Sequence, residues 1–391
     1  MSWLAAALAL AAAGYYALAL AAAVRWRRSG PSARGQAGKP IPLTYPSISI
    51  LKPIRGRDAG LYEALRSHAE QSYPEFEILF GCSDPDEPAA ADIERLRAEF
   101  PRVPISFYSV ATKAPNAKAG VLAQLARQAR HPVLLVNDSD ITVEPGYLRA
   151  VAASLADPRV GLVTCLYRAN GESPAARAEA LGIATEFAPS VVVARLLGVA
   201  EFALGSTMAF RAETLEKIGG FESIADYLAD DYQLGRRIHD LGYRIEFAPA
   251  VVETHLGEGT WAQVWRHQVR WSRTVRVSRP SGYYGYVVTH ATLWALAAFA
   301  TGAWWAGAAA LGMRMAAGAA VAGGVLGYKR IARDWWMMPL RDLFGFAVWL
   351  AGAFGSEVEW RGQRLRLRRD GRIEARGTVV RSQNSEGRGR T

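Results

Sequence analysis

Two cysteines and six histidines in 391 residues leave several common designs without their raw material. So few thiols exclude a disulfide-stapled scaffold and a cysteine-based zinc cluster. Cys82 and Cys165 have no neighbouring base of the kind a nucleophile requires, so both read as buried, inert thiols. Acidic residues are in deficit, 36 against 46 lysines and arginines, for a net charge of +10. Charge is missing altogether from Ser2 to Val24 and, apart from His290, from Tyr283 to Met313. What the chain has instead is apolar surface: 50% of its residues, concentrated at both ends. That is too apolar for a disordered chain. The length allows one large domain or two ordinary ones.

The uncharged run from Ser2 to Val24 is about 23 residues, enough to cross a hydrocarbon core of ~30 Å at ~1.5 Å per residue. Arg25, Arg27 and Arg28 follow at once, so the positive-inside bias keeps that side cytoplasmic. A cleaved signal peptide needs a charged start and a shorter apolar core. The sequence therefore predicts an uncleaved anchor over 1–28. A second membrane region is predicted over 283–356. Tyr286 to Tyr328 fits two spans with a tight turn near Gly302 to Gly307, and Trp304 and Trp305 suit the far interface. Arg314 then falls inside the second span, where it must face protein or water. Met337 to Gly355 is apolar but contains Arg341 and Asp342. It reads as a helix lying in or dipping into the cytoplasmic interface, because a span would carry Arg361, Arg364, Arg366, Arg368 and Arg369 outside. Residues 357–391 read as a basic cytosolic tail, disordered from Arg381 onward.

Between these ends, over 46–280, apolar runs alternate with amphipathic ones. Strands are predicted at Ser47–Leu51, Phe76–Phe80, Ile105–Val110 and Val133–Val136. Helices are predicted at Leu61–Ser72, Asp92–Phe100 and Lys118–Ala129. This order argues an α/β domain with a mostly parallel sheet covered by helices. Ligands of such sheets sit beyond the carboxyl ends of the strands. Polar clusters stand at three of those ends.

Asp138-Ser139-Asp140 follows an apolar run without a gap. In extended chain both carboxylates point the same way, and a hard cation such as Mg²⁺ or Mn²⁺ relieves their repulsion while also meeting nucleotide phosphates. A polar turn with a capping Asp gives the same pattern. Asp84 and Asp86 after the second strand read equally as an Asx turn. Asn116 and Lys118 precede a helix, where free N–H groups and a lysine suit phosphate, although a lysine there is commonly just solvated. Asp230-Asp231 opens a helix running through Leu234, Ile238 and Leu241. One of the two can cap while the other serves as the base that takes a proton from an attacking hydroxyl. Gly219-Gly220-Phe221 marks a tight turn just upstream. His267-Gln-Val-Arg270-Trp271-Ser-Arg273 lies in an amphipathic stretch. Arg270 suits a diphosphate leaving group and Trp271 a stacked ring. The arginines from Arg266 to Arg279 equally suit anionic lipid heads. Val191 to Leu204 reads either as an apolar acceptor entrance or as a plain core helix.

In that order, Asp84/Asp86, Asp138-Ser139-Asp140, Asp230-Asp231 and Arg270-Trp271, with membrane segments on both sides, the sequence resembles the GT-A glycosyltransferases of the ceramide glucosyltransferase type (family 2/21). The resemblance runs from Leu51 to about Gly362. It looks most similar to a bacterial branch associated with hopanoid biosynthesis, with Gly205 to Phe210 and Arg276 to Tyr286 contributing. It implies a GT-A domain that binds a UDP-sugar through Asp84, Asp86, Asn116, Lys118, Asp138, His267, Arg270 and Trp271. It also implies a divalent cation, Mg²⁺ or Mn²⁺, held by Asp140 with Asp138, and Asp231 as catalytic base. The implied reaction is inverting transfer of a hexose or N-acetylhexosamine to a lipid hydroxyl, on a hopanoid polyol or a ceramide-like lipid. The implied setting is a multi-pass protein of a bacterial inner membrane with its catalytic domain in the cytoplasm and no nucleic-acid partner. One position departs from the family pattern: the last motif opens on Gln or Arg, and here on His267. A processive polysaccharide synthase, a polyprenyl-phosphate sugar transferase and a tethered sugar-nucleotide sensor are the competing expectations.

Overall fold

A computed structural model of the chain describes residues 2–28, 45–58, 60–199, 201–360 and 363–379. Eight strands form its central sheet: β1 (Ile48–Pro53), β2 (Phe76–Cys82), β3 (Ile105–Ser109), β4 (Val133–Val136), β5 (Ile141–Thr142), β6 (Val160–Asn170), β7 (Met208–Arg211) and β8 (Arg244–His255). Their order is β3-β2-β1-β4-β7-β6-β8-β5. The apolar strands β1, β2 and β4 are buried along their whole length, as strands covered on both faces must be.

The sheet is mixed but mostly parallel, as expected: six of its eight strands run one way, and β5 and β7 run against them. The pairs β1–β2, β1–β4, β2–β3 and β6–β8 are parallel. Strand β7 runs antiparallel to β4 and to β6, and β5 antiparallel to β8. The reason is the path after β6. The chain leaves the sheet edge there, makes the helices Pro174–Gly182 and Ala188–Leu196, and re-enters at the same edge. A strand that starts where its predecessor ended must run backward, and apolar periodicity carries no direction. In consequence the ends of β1, β2, β4, β6 and β8 and the start of β7 all lie along one edge.

Helix bounds differ from expectation by a few residues, with Leu61–Ala69, Ala90–Glu99 and Ala117–Gln128 in place. Among the described residues, the helices Ser2–Arg28 and Trp304–Gly324 are long and apolar enough to cross a membrane. They pack in parallel along a seam of small residues: Ala6 and Ala9 by Ala306 and Ala310, then Ala12, Tyr16 and Ala19 by Ala317, then Ala22 and Ala23 by Val321 and Ala322. Small side chains let the two backbones approach closely. The preceding helix, Ala291–Ala300, has only 10 residues, so the two expected spans are unequal. The turn between them is at Gly302, whose φ of 83° suits glycine.

Arg314 is fully buried, and Asp342 of the helix Met338–Gly352 faces it with Oδ1 2.6 Å from Nη2. The charges that interrupted two apolar stretches are thus each other's partners. Tyr16 adds its ring, 5.0 Å from the Arg314 guanidinium carbon.

The stretch expected as a basic tail has regular structure where it is described. It folds into a three-stranded antiparallel sheet of β9 (Glu357–Trp360), β10 (Gln363–Leu367) and β11 (Ile373–Val379). Strand alternation explains it. Leu365 and Leu367 turn inward with Val358, Ile373 and Leu228. Arg364 and Arg366 turn outward opposite Glu359 and Glu357. The Ile373 N–H donates to the Asp226 carbonyl at 2.8 Å, which docks this sheet on the segment just before Asp230. The disorder expected from Arg381 falls outside the described residues.

Candidate active site

The acids of the shared edge converge on a lysine. Lys118, in the first turn of the helix Ala117–Gln128, places Nζ 2.7 Å from Asp138 Oδ1 and 3.2 Å from Asp230 Oδ2. Burial pulls the Lys118 ammonium down, but Asp138 and Asp230 outweigh it and hold it well above the ordinary lysine value. It is an ion-paired residue and not a solvated one.

Gly205 joins the two halves. Its N–H donates to Asp231 Oδ2 at 3.1 Å, and the Tyr232 N–H donates to Oδ1 at 2.7 Å. A Cβ on Gly205 would lie 3.4 Å from Asp231 Oδ2 and 3.5 Å from Asp138 Oδ2, so the two carboxylates flank this residue. Burial raises Asp231 to about 6, and its neighbour Asp230 adds to the rise. A carboxyl poised there takes a proton more readily than an exposed one.

Asp140 is raised by burial and then by the charge of Asp138. Thr254 of β8 donates a hydrogen bond to its Oδ2. The chain turns at Ser139–Asp140 and does not stay extended, yet the two carboxylates still feel one another.

Behind this turn lies a buried polar network that the sequence reading did not find. Lys52, fully buried at the end of β1, donates to the Asp138 carbonyl at 3.2 Å and lies 3.4 Å from His68 Nε2. His68 Nε2 is 3.2 Å from Asn137 Oδ1, and Asn137 Nδ2 donates to Ser206 O at 2.7 Å and Tyr147 OH at 3.0 Å. Burial lowers Lys52 to about 7 against the pull of Asp140 and Asp138. The network fixes the 137–140 turn against the turn at Gly205 and Ser206 that leads into β7. The only trace of it in the sequence is a lysine closing an otherwise apolar strand.

Other expected residues fall differently. Asn116 is fully buried; its Oδ1 accepts from Ala119 N at 3.1 Å and its Nδ2 donates to Tyr227 O at 2.8 Å. It is a helix cap, and both ends of its side chain are engaged. Asp84 and Asp86 are exposed in the loop after β2, where Asp84 Oδ1 accepts from Asp86 N at 3.0 Å. They share the sheet edge without joining the hydrogen-bonded network of Asp138 and Asp231. Glu87, the last acid of that cluster, accepts from Gly56 N at 2.8 Å and so ties that loop to the one after β1. On the helix Trp261–Ser278, His267 Nδ1 is 2.7 Å from Glu179 Oε1, and its ring centroid is 4.4 Å from that of Trp271. Of the Val191–Leu204 stretch, Val191, Val192 and Val193 are buried core, and Leu197 is exposed.

The model of "Glycosyl transferase family 21" matches residues 4–373. The chain belongs to glycosyl transferase family 21. Family 21 membership agrees with the similar curated proteins. Ceramide glucosyltransferase 3 of Caenorhabditis elegans is 28% identical over 204 residues, 51% of this chain and 44% of its own. Probable glycosyltransferase YdaM of Bacillus subtilis (strain 168) is 26% identical over 236 residues, 58% of this chain and 55% of its own. The chain thus spans about half the length of the curated relatives it matches. Among solved structures, the mannosyltransferase PcManGT from Pyrobaculum calidifontis, in complex with GDP-Man and Mn²⁺, superposes with a TM-score of 0.53 at 20% identity. It covers 89% of this chain and 97% of that one, so the two share the GT-A fold.

On this family 21 scaffold the donor set can be tested for a cation. Among the described residues, no three carboxylate, thiol or imidazole groups converge to hold a metal unaided. Two mutually repelling carboxylates, Asp138 and Asp140, are a partial set of hard oxygen donors. Mg²⁺ typically completes such a set with water and substrate phosphate. The residues fit a cation that arrives with a nucleotide diphosphate.

Proposed function

We propose that this family 21 protein transfers a sugar from a UDP-sugar to a hydroxyl of a membrane lipid, with inversion, at the edge where Asp138, Asp140 and Asp231 meet. The observation that carries this reading is Asp231, held by two backbone N–H groups beside Gly205 and within reach of the Asp138 carboxylate. Asp231 takes the proton of the attacking hydroxyl. Asp138 and Asp140 would hold Mg²⁺ or Mn²⁺, which when bound neutralises charge on the departing diphosphate. Lys118 holds Asp138 and Asp230 in place through its ion pairs. Arg270 and Trp271 close the donor side, and Asp84 and Asp86 meet the nucleoside from the loop after β2. Asn116 supports this site as a cap.

The remainder of the chain fits a lipid acceptor. Residues 1–28 and 283–356 form the membrane region of a multi-pass protein, with 46–280 as the catalytic unit on the cytoplasmic face of a bacterial inner membrane. Arg25, Arg27 and Arg28 end one candidate span, and Lys329 and Arg330 follow the parallel one, so one charge bias orients both. Anchoring keeps the acceptor's hydroxyl at high local concentration beside the site. The acceptor class is a hopanoid polyol or a ceramide-like lipid, and the sugar glucose or N-acetylglucosamine.

The test is mass spectrometry of lipid products, made by purified protein from a panel of UDP-sugars and extracted membrane lipids. One sugar added to a lipid is the expected product. Long polymer formed without lipid, or no product from any donor, overturns the reading. For Asp140→Ala, calorimetry should show loss of the Mn²⁺-dependent part of UDP binding.

A further inference from the structure

We infer that a groove along the helix Ser2–Arg28 binds one anionic phospholipid of the cytoplasmic leaflet, held by Arg25 and Arg28 and separate from the transfer site. The inference rests on the membrane reading of the two long helices given above, and not on the chemistry of transfer.

An open cavity of about 710 Å³ runs down the flank of this helix. Ala17, Leu20, Ala21 and Val24 line it, and Arg25 and Arg28 stand at its end. These positions recur at intervals of three and four, so they form a stripe on one helix face. Met313 of the helix Trp304–Gly324 supplies the other wall. From Ala17 to Arg28 the helix rises about 16 Å, half of a hydrocarbon core of ~30 Å. The groove is therefore one leaflet deep. It is apolar along its length and cationic only where lipid headgroups lie.

The three arginines that end this helix are not equivalent. Arg27 lies back against the parallel helix, where a Cβ on Gly324 would meet its Cδ at 3.2 Å. Arg25 and Arg28 are exposed and, among the described residues, have no carboxylate partner. The turn that carries them is nonetheless fixed. Ala22 and Ala23 pack with Val321 and Ala322. The Trp26 ring meets Phe247 edge-on at 5.9 Å and lies 5.8 Å from the Arg195 guanidinium carbon. Two guanidinium groups are thus presented on neighbouring positions of one face, about 5–6 Å apart at Cβ. A phosphodiester accepts paired N–H donors from such groups, while an acyl chain covers the apolar stripe below. A choline headgroup brings its own cation to the same place and is disfavoured. A partner helix ~10 Å across would fill about 1,300 Å³ over the same length, nearly twice the space present, so the occupant is thinner than a helix. A basic pocket beside cytoplasmic helix ends is where anionic headgroups bind.

The probe is dioleoylphosphatidylglycerol, added to the full chain in uncharged detergent and followed by native mass spectrometry beside dioleoylphosphatidylcholine. One molecule of the anionic lipid should be retained, with affinity about 30-fold above the zwitterionic one, the worth of two basic contacts at a membrane surface. Arg25→Gln combined with Arg28→Gln should erase that preference. Arg27→Gln removes a charge from the same helix end and should leave the preference within about twofold. Ala21→Trp keeps every arginine, fills the stripe and should abolish retention, so the result does not hang on the arginine variants alone. Equal retention of the two lipids overturns the site, as does a preference that survives the double variant or falls as far in Arg27→Gln. Displacement by inorganic phosphate makes this a plain anion site, and displacement by a neutral lipid that the protein glycosylates makes it the acceptor's entrance; either overturns the inference. A lipid-free dimer that Ala21→Trp dissociates overturns it as well. Carbonate treatment of membranes is the control. An extractable protein overturns the membrane reading together with the inference, whereas an integral protein without the preference overturns the inference alone.

Discussion

Asp231 accepts two backbone hydrogen bonds, yet burial and Asp230 still hold it near 6. Its direction of titration sets a pH dependence. Below about 6 the carboxyl is protonated and cannot act as base, so kcat should fall about tenfold per pH unit below that point and level off above it. A kcat–pH profile with no acid limb between 5 and 7 would contradict this. Asp231→Asn should lower turnover by roughly 10²–10⁴ with UDP binding retained, measured by product release and calorimetry in parallel. Lys52 matters in another way. Lys52→Met leaves the Asp138 carbonyl and His68 without their cation, and should lower stability by about 1–3 kcal/mol, read as a shift in the thermal melt. At this scale Asp138, Asp140 and Asp231 were legible because acids at strand and helix ends follow a pattern. Lys52, Gly205 and Glu179 were not, since each owes its role to a residue distant in sequence.

At the scale of the element, apolar runs located β1 to β4 and both long helices, because periodicity and length are local properties. The alternation with helices also gave the parallel direction of β1 to β4, but β7 was not readable: four buried residues reveal neither a strand nor which way it runs. The pairing of Arg314 with Asp342 was hidden likewise, for each alone looks like an interruption of an apolar helix. Breaking that pair by Asp342→Asn should cost roughly 3–5 kcal/mol, because it strands a buried guanidinium. Replacing both partners, Arg314→Met with Asp342→Leu, should recover most of the loss. Melting curves in detergent would show the difference, and a double variant no better than the single one would refute it.

Over the whole molecule, three layers meet: a mixed sheet with its acidic edge, a bundle of apolar helices, and a small arginine-faced sheet. The last was the least legible part, since alternating Arg and Leu in a short segment reads as a charged tail until its partner strands are known. Its role is to brace. Leu228 sits among Val358, Leu365, Leu367 and Ile373, two residues before Asp230. Removing 357–391 should lower turnover by roughly 10²-fold, as a displaced catalytic group does, with far-ultraviolet circular dichroism of the remainder retained. Full activity after that truncation would refute the brace.

That brace has a consequence for how the enzyme is made. Arg372 meets Tyr227 across 145 residues of sequence, so a ribosome that has finished the Asp230–Asp240 helix has not yet produced the residues that steady it. If the brace holds, the helix that carries Asp231 is steadied only at the end of synthesis, so competence for chemistry would arrive late.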